Sequence, residues 1–314
     1  MSRRTEVIGI ALAALFGARR AAAEIPDERA APSVVALSSG QAEPPARPPR
    51  FALPFQLRPA IAKSLLRSDV MASTHAAGAT LASVTTAAFL LAPNVAALVR
   101  LPYVSNTPIK GPPGSGFANP FVGGLYTPAL RRTTRLAAFA GVAIPVGAGG
   151  GNAPDKATAA ATSAGVYGRA AMDNALWAVD YAVGVVGVGV AEAMGRCTVQ
   201  GEMTVLELVR TRGERVQKDA TRTNLTAGAF AGCYVLPPLQ LVGELHYQRW
   251  LSTPNAVTID RSKRDQATGG IGVRFDVAAG PITLRPGLLL QAPLDDPMRK
   301  TGYRQVMLDL PVVF

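Results

Sequence analysis

The sequence predicts an all-β fold, a closed antiparallel barrel of about twelve transmembrane strands with short turns at one end and long loops at the other. Three observations predict it: apolar residues alternate along most of the chain, the connections alternate short and long, and high hydropathy comes without a helical span. Only 17% of the 314 residues are charged and the mean hydropathy is +0.20, less polar than soluble domains usually are. A spanning helix needs a run of about 18 or more apolar residues. The nearest stretch, Ala76 to Ala92, is broken by Thr80, Ser83, Thr85 and Thr86 and stopped by Pro93. Strands, in contrast, meet lipid with every second residue, so apolar character can be spread thinly.

The last strand shows the alternation most plainly. Val306, Leu308, Leu310, Val312 and Phe314 recur at every second position from Tyr303 onward, with Gln305, Asp309 and Pro311 among the residues between them. A period of two sends these sets to opposite faces of a strand. Strand-like segments of this kind fall at 55–71, 78–91, 95–104, 117–126, 133–146, 179–193, 197–210, 221–236, 239–251, 268–278, 282–291 and 303–314. Short breaks lie at Pro93-Asn94, 128–132, Met194-Gly195-Arg196, Pro237-Pro238 and Gly280-Pro281, and longer polar connections at 105–116, 147–178, 211–220, 252–267 and 292–302. A soluble meander has no reason to sort its loops by parity. A membrane barrel with short periplasmic turns and long outer loops does.

The inward faces follow. Leu239, Leu241, Leu245 and Tyr247 face out, against Gln240, Glu244, His246 and Gln248; Ile271, Val273, Phe275 and Val277 face out, against Arg274 and Asp276. Ile282, Leu284, Leu288 and Leu290 likewise oppose Thr283, Arg285 and Gln291. An Arg or Lys on the lipid face near the midplane costs about 2–4 kcal/mol, which forces these charges inward. The candidate lumen-lining set is Arg100, Asp180, Glu202, Glu244, His246, Arg274, Asp276, Arg285 and Asp309. It suits either a polar conduit that selects a solute or a lumen braced by ion pairs. Tyr103, Trp177, Trp250 and Tyr303 are expected at the outer ends of strands, and Tyr126, Tyr234 and Phe314 at the periplasmic ends, as interfacial girdles.

Residues 1–23 read as a secretory signal: Arg3 and Arg4, an apolar stretch from Val7 to Ala18, then Ala21-Ala22-Ala23 before Glu24. Its removal takes four arginines and one glutamate and lowers the net charge from +11 to +8. Residues 24–54, rich in Pro, Ala and Ser, read as a disordered leader that hangs in the periplasm or tucks into the barrel. Residues 55–314 form the barrel domain. Residues 155–169 suit an Ala-rich helix in the longest outer loop, able to fold inward and constrict the mouth.

The remaining chemistry is sparse. Cys197 and Cys233 have no metal-ligand spacing and are expected as two buried thiols inside strands. The glycine-rich stretches 111–116 and 147–152 lack the lysine of a phosphate loop and the strand–helix setting of a dinucleotide site, so no cofactor or metal is expected. No clustered basic motif points to nucleic acid. The two histidines, His75 and His246, have no nucleophile motif beside them, which leaves a surface hydrolase as the least favoured reading and no catalytic residues to name.

The closing strand, with its terminal aromatic, resembles that of bacterial outer-membrane β-barrels. The stretch Gly116-Phe117-Ala118-Asn119-Pro120-Phe121, followed by 136–147 ending Ile144-Pro145-Val146-Gly147, is similar to transporter-like barrels associated with degradation of phenol and other aromatic compounds. The resemblance implies an outer-membrane location and passive passage of small hydrophobic or aromatic solutes. It also implies contact with outer-membrane lipid, lipopolysaccharide and the barrel-insertion machinery. The alternative is a structural or adhesive barrel whose lumen is filled by side chains. Arg210, Arg212, Arg215, Lys218, Arg261, Lys263 and Arg264 fall in expected outer loops, where lipid phosphates would lie.

Overall fold

The computed structural model describes residues 49–168, 174–214, 219–296 and 298–314. The expected signal segment, most of the leader, and Arg215 and Lys218 lie outside these residues. The chain from Arg47 to Phe314 is one unit, and its strands form one sheet of antiparallel pairs in which successive staves lie side by side. Twelve staves result. They are β1 (Leu65–His75), β2 (Gly78–Ala92), β3 (Val95–Pro108), the broken stave β4 (Gly114–Phe117) and β5 (Phe121–Tyr126), and β6 (Thr134–Ala143). Then come β7 (Tyr181–Met194), β8 (Cys197–Arg210), β9 (Thr221–Leu236) and β10 (Leu239–Trp250). Two more broken staves, β11 (Asp265–Phe275) with β12 (Val277–Ala279) and β13 (Ile282–Leu284) with β14 (Gly287–Pro293), precede β15 (Arg304–Val313).

The sheet closes on itself. β1 pairs with β15 from Leu65↔Val313 to Thr74↔Arg304, so no edge is left open to lipid, where an unpaired backbone group cannot be tolerated. Among the described residues no helix is long and apolar enough to cross a membrane. The outer wall is greasy: Leu66, Leu81, Leu101, Val186, Leu245, Ile271, Leu290 and Leu308 are each exposed, Ile271 to 72%. The interior holds the charges instead, with Arg274 at 0% and Glu244 at 2% exposure. A soluble barrel would have these two populations exchanged.

The periplasmic turns at 93–94, 195–196, 237–238 and 280–281 are as short as the sequence implies. The outer side has one exception to the parity rule, because β1 and β2 join through Ala76 and Ala77 alone. The first strand also starts later than expected, at Leu65 and not Phe55. Pro54 and Pro59 have no N–H to give a ladder, so residues 51–62 cannot be a central stave; they turn into the barrel. The girdle expectation fails for four aromatics, of which Trp250 is partly buried and packs against the interior core. Trp177, Tyr234 and Tyr303 are buried at 5%, 7% and 0% exposure: the Tyr234 hydroxyl donates to Asp276, the Tyr303 hydroxyl to Tyr167 O, and the Trp177 ring packs against Gly165, whereas Tyr103, Tyr126 and Phe314 do face out. The cysteines are not free thiols. Cys197 and Cys233 lie directly opposite each other in the β8–β9 register and form a disulfide.

The described parts of the outer loop, 144–168 and 174–180, fold inward, as the Ala-rich stretch implies. It carries α1 (Lys156–Gly168) and the single turn α2 (Asn174–Trp177), all four residues of which are buried. Asp155 starts α1 by accepting from the Thr158 backbone N–H at 2.8 Å, a bond that holds its carboxyl below the usual range. Close packing needs glycine at one point: the indole of Trp177 lies where a Gly165 side chain would be. The loop is tied down by Asn119, which is fully buried in the break between β4 and β5. Its side-chain N–H groups donate to Ala178 O (2.8 Å) and Tyr181 O (3.2 Å), its backbone N–H to Leu176 O (2.8 Å), and its Oδ1 accepts from Gly147 N (3.1 Å). The Asn-Pro pair thus ends one strand segment and anchors the lid.

Candidate functional site

A buried extended segment must find partners for its backbone groups, and the inward side chains of the barrel supply them to residues 50–62. Glu244 on β10 accepts from Phe55 N (2.5 Å) and Gln56 N (3.2 Å). Glu202 on β8 accepts from Arg58 N and from its guanidinium, both at 2.8 Å. Thr198 accepts from Ala52 N (2.9 Å), Gln200 donates to Arg58 O (2.7 Å), and Thr127 accepts from Ala62 N (2.8 Å). The segment therefore enters near the Pro237 turn, where Arg50 bonds Asp276 at 3.2 Å, climbs to Glu244, crosses to Glu202 and returns beside Thr127. It is a plug held by named bonds in the periplasmic part of the lumen.

Beneath Phe55 lies a charge knot. Arg274 makes a two-pronged pair with Asp309 at 2.7 and 2.8 Å, and Arg67 contacts Asp69 at 2.6 Å and Asp309 at 2.7 Å. Buried ion pairs repay their desolvation only when further hydrogen bonds satisfy them. Here Arg67 also donates to Pro54 O and Phe55 O, and Arg274 to Leu53 O and Arg285 O. The Arg274 guanidinium lies 4.3 Å from the centre of the Phe55 ring. Nearer the rim, Asp276 gathers Arg285 (2.8 Å), Tyr234 (2.8 Å) and Gln240 (3.0 Å).

The nine sequence candidates thus fall into separate groups. Glu202 and Glu244 hold the plug, Arg274 and Asp309 form the knot, and Asp276 with Arg285 sits at the rim. His246 lies between Glu244 (3.1 Å) and Gln291 (3.2 Å), with both ring nitrogens engaged. Arg100, at 9% exposure, borders a void between the plug and the wall. Asp180 stands apart: it precedes β7 and clamps the outer loop, accepting from Gly151 N (2.8 Å) and pairing with Arg210 (3.3 Å). Sequence reasoning missed Arg58, Arg67 and Asp69. The alternation Leu65, Arg67, Asp69, Met71 against Leu66, Ser68, Val70 was a usable signal for two of them.

The void is a slot of about 70 Å³ between the plug and the wall made by β1, β2, β3, β5 and β6. Its wall is mostly apolar (Leu65, Ala88, Ala96, Leu98, Phe121, Leu125), and Arg58, Lys63, Arg67, Asp69 and Arg100 supply the charge. A second, smaller void of about 10 Å³ reaches outward to Leu176 of the lid, and Arg58, Arg100 and Phe121 border both.

A closed twelve-stave barrel with an apolar belt, charged interior and short turns on one side defines the class: the fold is that of a bacterial outer-membrane β-barrel. Among solved structures the fold is similar to an outer membrane channel from Pseudomonas putida F1, with TM-score 0.52 and 11% identity over 87% of this chain and 100% of that one. The KdgM porin in complex with disordered oligogalacturonate (TM-score 0.46, 8% identity, 79% of this chain and 99% of that) and the NanC porin (0.45, 7%, 79% and 98%) also match. At these identities the likeness concerns the fold. No family model and no curated protein matches the sequence.

Proposed function

We propose that this barrel passes small molecules across the outer membrane by diffusion down a gradient, hydrophobic or aromatic solutes included, with no covalent chemistry. The observation that carries the reading is the pair of voids between plug and wall, bordered in common by Arg58, Arg100 and Phe121. A path needs a place where solute can displace water and side chains without dismantling the wall, and this side of the lumen holds such a place. Purified protein in liposomes tests it by swelling in small sugars, amino acids and aromatic alcohols. No flux for any class defeats the transport reading.

A second reading has its own support. The knot of Arg67, Asp69, Arg274 and Asp309 braces the lumen as a structural or adhesive barrel would require. In that case the outer loops do the work, binding lipopolysaccharide phosphates. Arg261 and Lys263 on the 3₁₀ turn Arg261–Arg264 are exposed, whereas Arg210 and Arg212 are spent on Asp180 and on loop carbonyls at Gly147 and Pro145. The hydrolase reading predicts activity lost in His246→Ala; the engaged ring nitrogens speak against a free general base.

A further inference from the structure

We propose that the Cys197–Cys233 disulfide is an assembly device. It is made while the chain is still in the periplasm, it pins the register of the stave that seats the plug, and the membrane then seals it off. The proposal needs the outer-membrane reading and is independent of the channel reading. Both sulfurs belong to the outer face of the wall. Thr198, Gln200 and Glu202 on β8, and Gly232 and Tyr234 on β9, are buried toward the lumen, so the cysteines that alternate with them point the other way. Their neighbours across the sheet are Met194 on β7 and Leu241 on β10, both exposed on the apolar belt. Arg196, exposed in the preceding turn, marks the water boundary, and Val235 and Leu236 carry the belt past Cys233 toward it. Thiol–disulfide exchange needs a thiolate to attack a sulfur, and an unpaired ion in hydrocarbon is heavily penalised. Once lipid covers this face the bond is out of reach of water-borne thiols, so its formation has to come first. The reaction class is exchange with a periplasmic disulfide oxidant. The two thiols give up two protons and two electrons, the S–S bond forms, and the oxidant's own disulfide is left as a dithiol.

What the bond fixes is a register. It joins positions directly opposite in the β8–β9 ladder and 36 residues apart in sequence, at the end remote from the 211–220 connection, so the two staves are tied at both ends. A slip of one residue would turn every side chain of β8 to the other face and send Thr198, Gln200 and Glu202 to lipid. These three hold the plug at Ala52 N, Arg58 O and Arg58 N. A covalent tie removes part of the loop-closure entropy that a non-local pairing otherwise loses before it gains contacts. The test unfolds the full-length chain in urea as the oxidised and as the dithiol form, dilutes each into phosphatidylcholine vesicles, and follows the heat-resistant folded band over time. The oxidised form is expected to fold severalfold faster, to the same final yield. Protein carrying both Cys197→Ser and Cys233→Ser is expected to fold at the dithiol rate, with or without dithiothreitol. Dithiothreitol added to the folded oxidised protein in vesicles is expected to open the bond far more slowly than in urea, read as maleimide-labelled thiols. Equal folding rates for the two forms overturn the proposal. So does a bond that only slows unfolding, which is the behaviour of a brace. A dithiothreitol effect on the doubly substituted protein overturns it as well, because the reagent and not the bond then sets the rate. Opening in vesicles as fast as in urea overturns the claim that oxidation must precede insertion.

Discussion

The barrel is filled from both ends by segments that obey different rules. The plug, residues 50–62, is held through its backbone: carboxylates and threonine hydroxyls of the wall accept from its N–H groups, and arginines and Gln200 donate to its carbonyls. The lid, loop 144–180, is held through packing of α1 and α2, with His75 stacked 4.1 Å from Tyr167, Trp177 seated against Gly165, and Asn119 and Arg212 tying its base. Main-chain tethering to charged wall residues makes a fastening that individual side chains can undo. Packing distributes the same task over many contacts, none decisive. The plug is therefore the element that a change of one residue can release, and the lid the element that resists.

Arg274→Ala should break the comparison most violently. It leaves Asp309 with Arg67 alone inside the knot, and removal of one partner from a buried pair costs about 3–5 kcal/mol. The expected result is a lower urea midpoint for loss of the heat-resistant folded band. An unchanged midpoint would show that the knot adds no stability. Glu244→Ala comes next. Two backbone N–H groups of the plug lose their acceptor, about 1–3 kcal/mol for each left unsatisfied, so single-channel conductance should rise severalfold while the barrel stays folded. Asn119→Ala should matter less to conductance although it removes three side-chain bonds, because Arg212 still holds the loop base through Gly147 O at 2.8 Å. A larger conductance change in Asn119→Ala than in Glu244→Ala would reverse the assignment of which fastening is weak. The smallest effect is expected from reducing Cys197–Cys233. The β8–β9 ladder continues past it from Thr198↔Gly232 to Val209↔Thr221, so conductance should be unchanged, while mass spectrometry of the oxidised protein should show two hydrogens fewer than the dithiol form.

How far the sequence announced all this depends on what kind of order each element uses. Strands β8 and β9 have the bounds that alternation predicts, 197–210 and 221–236, because the lipid and lumen faces impose a period of two that nothing else overrides. The helix in the longest loop was legible from its alanines. The plug was not, although Phe51, Leu53, Phe55 and Leu57 alternate like a strand; Pro54 and Pro59 were the sign that this alternation belongs to an interior segment. Pairing across the barrel was also illegible. That Cys197 meets Cys233 depends on register, which a ten-residue connection does not fix. The inward direction of Trp177 and Tyr303 depends on a loop conformation with no periodic signature. Glu244 could be assigned to the lumen, but its partner lies 189 positions away, beyond the reach of any local pattern.

The joint at Ser64 has a mechanical meaning. Its carbonyl accepts from Phe314 N at 3.2 Å, and the next residue, Leu65, is already locked to Val313 and Ala88. The stretch 50–62, drawn straight, reaches roughly 40 Å at about 3.3 Å per residue, more than the apolar band of about 25 Å. None of the rungs of the surrounding ladder is made by this stretch, so the bonds that seat it in the interior and the bonds that close the wall are two separate sets joined at one pivot.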